Sequence, residues 1–238
     1  MEGFLEVSRK PDGRPEIFHS IQGEGINTGR PAVFLRLARC NLACVWCDTK
    51  YTWDWERYDP GDQILEMASV EVEREVLGFG CKYLVVTGGE PMLQQRRLIL
   101  LLKRLKNGGF YIEMETNGTV LPDKVSPGLV DHWSVSPKLE NSGNPRVLRE
   151  APACYNLFGQ LPSCQFKYVI QNEDDLEEVD GIVRKYHLPV ERVLLMPQAR
   201  TRQVLLDKSR WLAEICKARG YLFSTRLHIL LWGDKRGV

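Results

Sequence analysis

The sequence has almost no net charge. Its 32 Lys and Arg face 31 Asp and Glu, so no global field draws it to nucleic acid or to an anionic membrane. Long apolar runs are missing as well: the longest, around Leu98-Ile99-Leu100-Leu101-Leu102, falls far short of the ~20 residues of a membrane span. There is no low-complexity tract, no repeat at a fixed period and no long polar linker, so a single domain over residues 1–238 is expected. A chain of that length buries about 70–75% of its unfolded surface and needs no disulfide to hold it. Seven cysteines make an odd count, and the start of the chain shows no basic patch, apolar core and small-residue cleavage site. The expected compartment is a reducing cytoplasm, and the expected partner is a small molecule, not a nucleic acid or a membrane.

What the sequence does have is three thiols in eight residues, Cys40-Asn41-Leu42-Ala43-Cys44-Val45-Trp46-Cys47, spaced C-x3-C-x2-C with no obvious fourth ligand nearby. Structural zinc takes four protein ligands, and iron–sulfur clusters are commonly held by four cysteines. Three thiolates leave one metal able to bind a small molecule, which points to chemistry instead of bracing. Burial in a hydrophobic segment would account for one or two of these thiols, not for three so close together.

Around this loop runs an alternation of extended and helical segments. Strands are expected at Ala32–Leu37, Tyr83–Val86, Phe110–Glu115, His132–Val135, Phe166–Ile170 and Arg192–Leu195. Helices are expected at Asp62–Leu77 behind an Asp62 cap, then at Leu93–Lys106, Glu173–Tyr186 and Val204–Arg219, with a last apolar run at Leu227–Trp232. Such alternation predicts an α/β fold of parallel strands with helical crossovers. Polar residues gather where strands end, in Thr87-Gly88-Gly89-Glu90-Pro91, Glu115-Thr116-Asn117-Gly118, Ser136-Pro137-Lys138, Gln171-Asn172 and Pro197-Gln198. In β/α barrels the active site is built at the carboxyl ends of the strands, so these loops should meet at one mouth. About six parallel strands are too few for a closed eight-stranded barrel, and an incomplete TIM-type β/α barrel is expected. Within the first of these loops, the adjacent glycines 88 and 89 allow close approach of backbone to a ligand, and Glu90 suits an ammonium group.

The cysteine triplet with Gly88-Gly89-Glu90-Pro91 downstream resembles the radical S-adenosylmethionine superfamily. The resemblance implies a [4Fe-4S] cluster on Cys40, Cys44 and Cys47, whose fourth iron takes the amino and carboxylate groups of S-adenosylmethionine. An electron from the cluster then cleaves the sulfonium to give a 5′-deoxyadenosyl radical. Within the superfamily, Phe18-His19-Ser20-Ile21-Gln22-Gly23-Glu24-Gly25, Gly29 to Arg36, Cys47-Asp48-Thr49 and the ending His228 to Val238 resemble the 7-carboxy-7-deazaguanine synthase family over nearly the whole chain. That implies conversion of 6-carboxy-5,6,7,8-tetrahydropterin to 7-carboxy-7-deazaguanine with loss of ammonia, on the route to queuosine. It further implies Mg2+, a homodimer and an electron donor such as flavodoxin or ferredoxin.

Carried onto this sequence, the resemblance makes Ile21, Gln22, Gly23, Arg36 and Thr87 substrate contacts, with the tail ending in Val238 closing the site. A guanidinium at Arg36 suits a carboxylate through a bidentate pair; a structural ion pair is the competing use. Thr49 matches the family's magnesium ligand, with water and substrate supplying most other oxygens. Trp46, Cys47 and Asp48 would border the adenosyl group, Gly89 and Glu90 the methionine portion, and Ser136, Pro137 and Lys138 the ribose, with Met196-Pro197-Gln198-Ala199 closing over it. Glu115 is a candidate for proton handling, and strand alternation puts Glu113 on the same face. His228 has two open uses, touching substrate or packing beneath the tail. Trp53 and Trp55 are expected to pack against the barrel, with shielding the cluster or meeting a partner as the other uses. Rival readings are another superfamily enzyme such as a glycyl-radical activase, a noncatalytic iron–sulfur carrier and a zinc-stabilised module.

Overall fold

A computed structural model gives the structure of the protein and describes residues 3–122 and 127–238. The chain opens with strands β1 (Phe4–Ser8), β2 (Ile17–Ile21) and β3 (Pro31–Leu37), followed by the cysteine loop. Then come helix α1 (Pro60–Gln63), strand β4 (Ile64–Ala68) and helix α2 (Ser69–Gly78). β5 (Tyr83–Gly88), α3 (Gln95–Asn107), β6 (Tyr111–Thr116) and β7 (His132–Val135) continue the alternation. After α4 (Arg146–Arg149) and α5 (Pro152–Gln160) the chain runs β8 (Cys164–Ile170), α6 (Glu173–Tyr186), β9 (Val193–Pro197), α7 (Arg202–Arg219), β10 (Leu222–Phe223) and α8 (Leu227–Trp232).

One sheet carries all of it, in the order β10-β9-β8-β7-β6-β5-β3-β1-β4, with β2 paired to β3 beside this path. Every pairing from β3 to β10 is parallel, while β1, β2 and β4 attach antiparallel at the β3 end. The barrel is therefore partial, as expected, with the six expected strands extended by the two-residue β10. The ends of the order, β10 and β4, do not pair among the described residues.

The expected helix Asp62–Leu77 is corrected. Asp59, not Asp62, caps a four-residue helix by accepting from the Gly61 N–H at 2.8 Å. Ile64–Ala68 then pairs antiparallel with β1, Leu5 opposite Met67. Helix α2 starts only at Ser69, where the Glu71 carboxylate accepts from the Ala68 N–H at 2.8 Å. The tertiary need to cover the outer edge of β1 overrides the helical spacing of the apolar residues.

Strand alternation divides the sheet chemically. Ile112 and Met114 of β6, Trp133 and Val135 of β7, and Phe166, Tyr168 and Ile170 of β8 point to the helices and form the main core. There Trp133 meets Phe158 of α5 with ring centroids 5.2 Å apart. Their neighbours Glu113, Ser134, Gln165 and Lys167 point to the other side, and all four are buried. The inside of the partial barrel is thus polar. Loop residues 22–29 plug it: the Ile26 N–H donates to Gln165 Oε1 at 2.9 Å, the Gly25 N–H to Ser224 Oγ at 2.9 Å, and Asn27 Nδ2 to Glu113 Oε2 at 2.8 Å. No helix among the described residues is long and apolar enough to cross a membrane.

Candidate active site

A cavity of about 390 Å³ opens at the carboxyl ends of the parallel strands, and all three thiols of the loop line it. The loop is fixed by the segment after β7: the Ala43 N–H donates to Asn144 Oδ1 at 2.9 Å and the Val45 N–H to the Ser142 carbonyl at 3.0 Å. Each sulfur has a nitrogen donor close by. Asn144 Nδ2 donates to Cys44 Sγ at 3.2 Å, Trp53 Nε1 to Cys47 Sγ at 3.3 Å, and the Leu42 N–H lies 3.5 Å from Cys40 Sγ. Burial pushes the Cys40 thiol up to about 12 and raises that of Cys44, so a bound metal must supply the charge that stabilises the thiolates.

This donor set fits an iron–sulfur cluster. Among the described residues the side chains form no ready cage of three His, Cys, Asp or Glu around a single ion. A cluster needs none, because each thiolate binds a different iron, and hydrogen bonds to the sulfurs are a usual means of tuning its potential.

Gly88 and Gly89 turn out to serve close contact of backbone with backbone. A Cβ on Gly88, whose φ is 140°, would lie 2.1 Å from the Leu37 carbonyl oxygen, and one on Gly89 2.0 Å from that of Arg39. The end of β5 is thereby laid flush on the start of the cysteine loop, with hydrogen bonds from the Gly89 N–H to the Leu37 carbonyl and from the Glu90 N–H to the Arg39 carbonyl. Glu90 itself is fully buried and its carboxylate accepts from the Met92 and Asn117 N–H groups and from Thr116 Oγ1. It braces Asn117, whose amide reaches Asn41 Oδ1 at 3.0 Å.

The cavity lining beside the thiols includes Trp46, Asp48, Thr49, Gly89, Ser136 and Lys138, together with Met196 and Gln198. Lys138 Nζ donates to the Ser136 carbonyl at 2.8 Å and lies 5.7 Å from the Trp46 ring centroid. Four residues expected around S-adenosylmethionine do not line the cavity: Glu90, Pro137, Pro197 and Ala199. Ala199 instead packs with Leu205 and Ile229, and its carbonyl accepts from Arg226.

The remaining wall holds Ile21, Gln22, Gly23, Arg36, Thr87 and Glu115, together with His228 and Val238. Arg36 Nε donates to Glu16 Oε1 at 2.9 Å, so the residue is ion-paired while still lining the cavity. Gln22 Nε2 reaches Glu113 at 2.9 Å and Glu115 at 3.2 Å, its Oε1 accepts from the Glu24 N–H, and Thr87 Oγ1 donates to Glu115 at 2.7 Å. The His228 ring packs on Gly23, where a Cβ would come within 2.5 Å of Nδ1, and burial lowers its pKa and keeps it neutral.

Several residues of this site were not anticipated. Glu24 accepts from Lys167 and Arg226; burial opposes its charge, but the two cations hold the carboxyl well below the usual range. Arg226 also binds Asp48. A lysine in the otherwise apolar run Phe166–Ile170 is a legible signal for Lys167, since a buried ammonium requires a partner. Nothing local in the sequence marks Asn144, Glu16 or Arg226.

The Radical SAM superfamily model matches residues 36–136, from the end of β3 through the loop after β7. The 7-carboxy-7-deazaguanine synthase of Pyrobaculum aerophilum is 40% identical over 223 residues, 93% of this chain and 95% of that one. The chain belongs to the 7-carboxy-7-deazaguanine synthase family. A second relative of that name, from Rhodopirellula baltica, is 33% identical over 94% of this chain and 87% of its own length. In three dimensions this family member resembles QueE from Escherichia coli, with a TM-score of 0.68 and 26% identity over 94% of this chain and 95% of that chain. SuiB of Streptococcus suis, solved bound to S-adenosylmethionine, shares the fold at a TM-score of 0.54, 15% identity and coverage of 81% and 50%.

Proposed function

We propose that this protein is a radical S-adenosylmethionine lyase that converts 6-carboxy-5,6,7,8-tetrahydropterin to 7-carboxy-7-deazaguanine with loss of ammonia. One observation carries this reading: the thiol loop and the Gln22, Arg36, Thr87 and Glu115 group face a single cavity. When bound, the cluster and S-adenosylmethionine supply the radical that abstracts hydrogen from the substrate. Trp46, Asp48, Ser136 and Lys138 hold the adenosyl side, and the backbone of Gly88 and Gly89 the methionine side.

Arg36 offers its terminal nitrogens to the pterin carboxylate, its Nε being taken by Glu16. Gln22, with its amide nitrogen fixed by Glu113 and Glu115, presents its oxygen's free lone pair to the pterin edge. Glu115 lies on the cavity wall and serves proton transfer as the ring contracts and ammonia leaves. Thr49, beside the thiols, would give one oxygen to Mg2+, with water and substrate supplying most of the others. The working form is a cytoplasmic homodimer fed by a flavodoxin- or ferredoxin-type donor.

The test is an anaerobic assay of cluster-reconstituted protein with S-adenosylmethionine, a strong reductant, Mg2+ and the pterin acid, followed by mass spectrometry. 7-Carboxy-7-deazaguanine is expected, and Cys44→Ala abolishes it. Formation of 5′-deoxyadenosine and methionine alone would keep the radical chemistry and overturn the substrate.

A further inference from the structure

Glu16, just ahead of β2, is fully buried, and the roles above use only one of its bonds, that to Arg36 Nε. Its Oε1 accepts from Arg36 Nε at 2.9 Å and from the Tyr51 hydroxyl at 3.0 Å. Its Oε2 accepts from Arg236 Nε at 3.0 Å and Nη2 at 2.7 Å. The Arg236 guanidinium also lies 3.4 Å from the Tyr51 ring centroid. Arg236 belongs to the tail after α8, and the tail's last residues, Gly237 and Val238, line the same cavity as Arg36.

Two guanidiniums on the one Glu16 carboxylate leave that cluster with a surplus positive charge, offset in part from across the cavity wall by Glu115. Among the described residues no hydrogen bond occupies the terminal nitrogens of Arg36, so the surplus faces the cavity. The other ion pair of the tail, Asp234 with Arg200, is 40% and 50% exposed and contributes little. Arg236 on Glu16 is the buried hold.

We propose that Glu16 is a positioning residue that couples recognition of the substrate carboxylate by Arg36 to docking of the C-terminal tail through Arg236. The ligand in this proposal rests on the function given above. An anion arriving at Arg36 neutralises the charge that Arg236 brings to the shared carboxylate, so binding of either favours the other by the same factor. Docking of the tail in turn places Val238 on the substrate wall.

The tail carries its own reporter, because trypsin cleaves after Arg236, giving a product that mass resolves from the Arg236-Gly237-Val238 cut after the neighbouring Lys235. The cluster-loaded full-length protein is digested briefly, without reductant, with and without 6-carboxytetrahydropterin, and release of Gly237-Val238 is followed by mass spectrometry. In the wild type the substrate slows release by about tenfold or more, the scale of a charged hydrogen bond. Glu16→Gln releases the dipeptide faster without ligand and gains no protection from it. Equal protection of both proteins overturns the coupling, and so does a wild type that forms product but gains no protection.

A wild type that forms no product overturns the substrate reading; equal ligand-free cleavage of the two proteins then overturns the hold of Glu16 on the tail. Arg236→Lys leaves the buried carboxylate and Arg36 in place and guards against misfolding of Glu16→Gln. It is expected to raise KM about tenfold with kcat little changed, and an unchanged KM overturns the proposal.

Discussion

Glu113 sits fully buried on the inner face of β6, and its three hydrogen bonds come from neutral groups: Tyr83, Gln22 and Asn27. Burial, with repulsion from Glu115 added, pushes its carboxyl up to about 7 from an ordinary 4.5. A raised carboxyl favours the folded state below pH 4.5, and that contribution is lost as pH rises through 7, to a limit of about 3 kcal/mol. Thermal melts between pH 5 and 8 are expected to fall with rising pH, and Glu113→Gln to flatten that slope. At the cluster, Trp53→Phe removes the N–H bonded to Cys47 Sγ. The midpoint potential, read by EPR-monitored titration, is expected to become more negative. Among single residues, the thiols were legible because their spacing is local chemistry, and Glu113 beside Glu115 because alternation puts both on one face. Glu16 and Asn144 were not, since each acquires its role only through partners twenty or a hundred residues away.

At the scale of elements, the six parallel strands and the helices α3, α6 and α7 could be read from period and punctuation, with ends shifted by a residue or two, whereas α2 starts seven residues later than its spacing suggests and α4 and α5 carry no signal that was read. The antiparallel arm of β1 and β2 could not be read. Nor could β4, whose Ile64-Leu65-Glu66-Met67-Ala68 run is a strand only because β1 offers it an edge. The Gly-Gly turn was legible as a close approach, though not what approached. Gly89→Ala forces the end of β5 away from Arg39, and an overpacked contact of this kind costs about 1–3 kcal/mol. The cysteine loop lies on the other side of that contact, so bound iron and sulfide per chain should fall while far-ultraviolet circular dichroism stays native.

For the whole molecule, a near-zero net charge hides a strongly charged interior. Glu24 joins the plug loop to Lys167 in β8 and to Arg226 ahead of α8. Its depressed carboxyl contributes stability that is present above pH 4.5 and is lost as pH falls below that value. Glu24→Gln leaves two buried cations short of a partner and is expected to cost about 3–5 kcal/mol at neutral pH, a deficit that denaturant titrations should find shrinking as the medium is acidified. The bonds of the same plug span the chain: Ile26 to Gln165, Gly25 to Ser224, Glu24 to Arg226. On the ribosome, Asn27 and Ile26 wait for Glu113 and Gln165, and Glu24 and Gly25 wait about 200 residues for Arg226 and Ser224. The cysteine loop has its Asn144 donor well before then. During synthesis the donor to the cysteine loop is therefore in place before Ser224 and Arg226, the late partners of the plug, have been made.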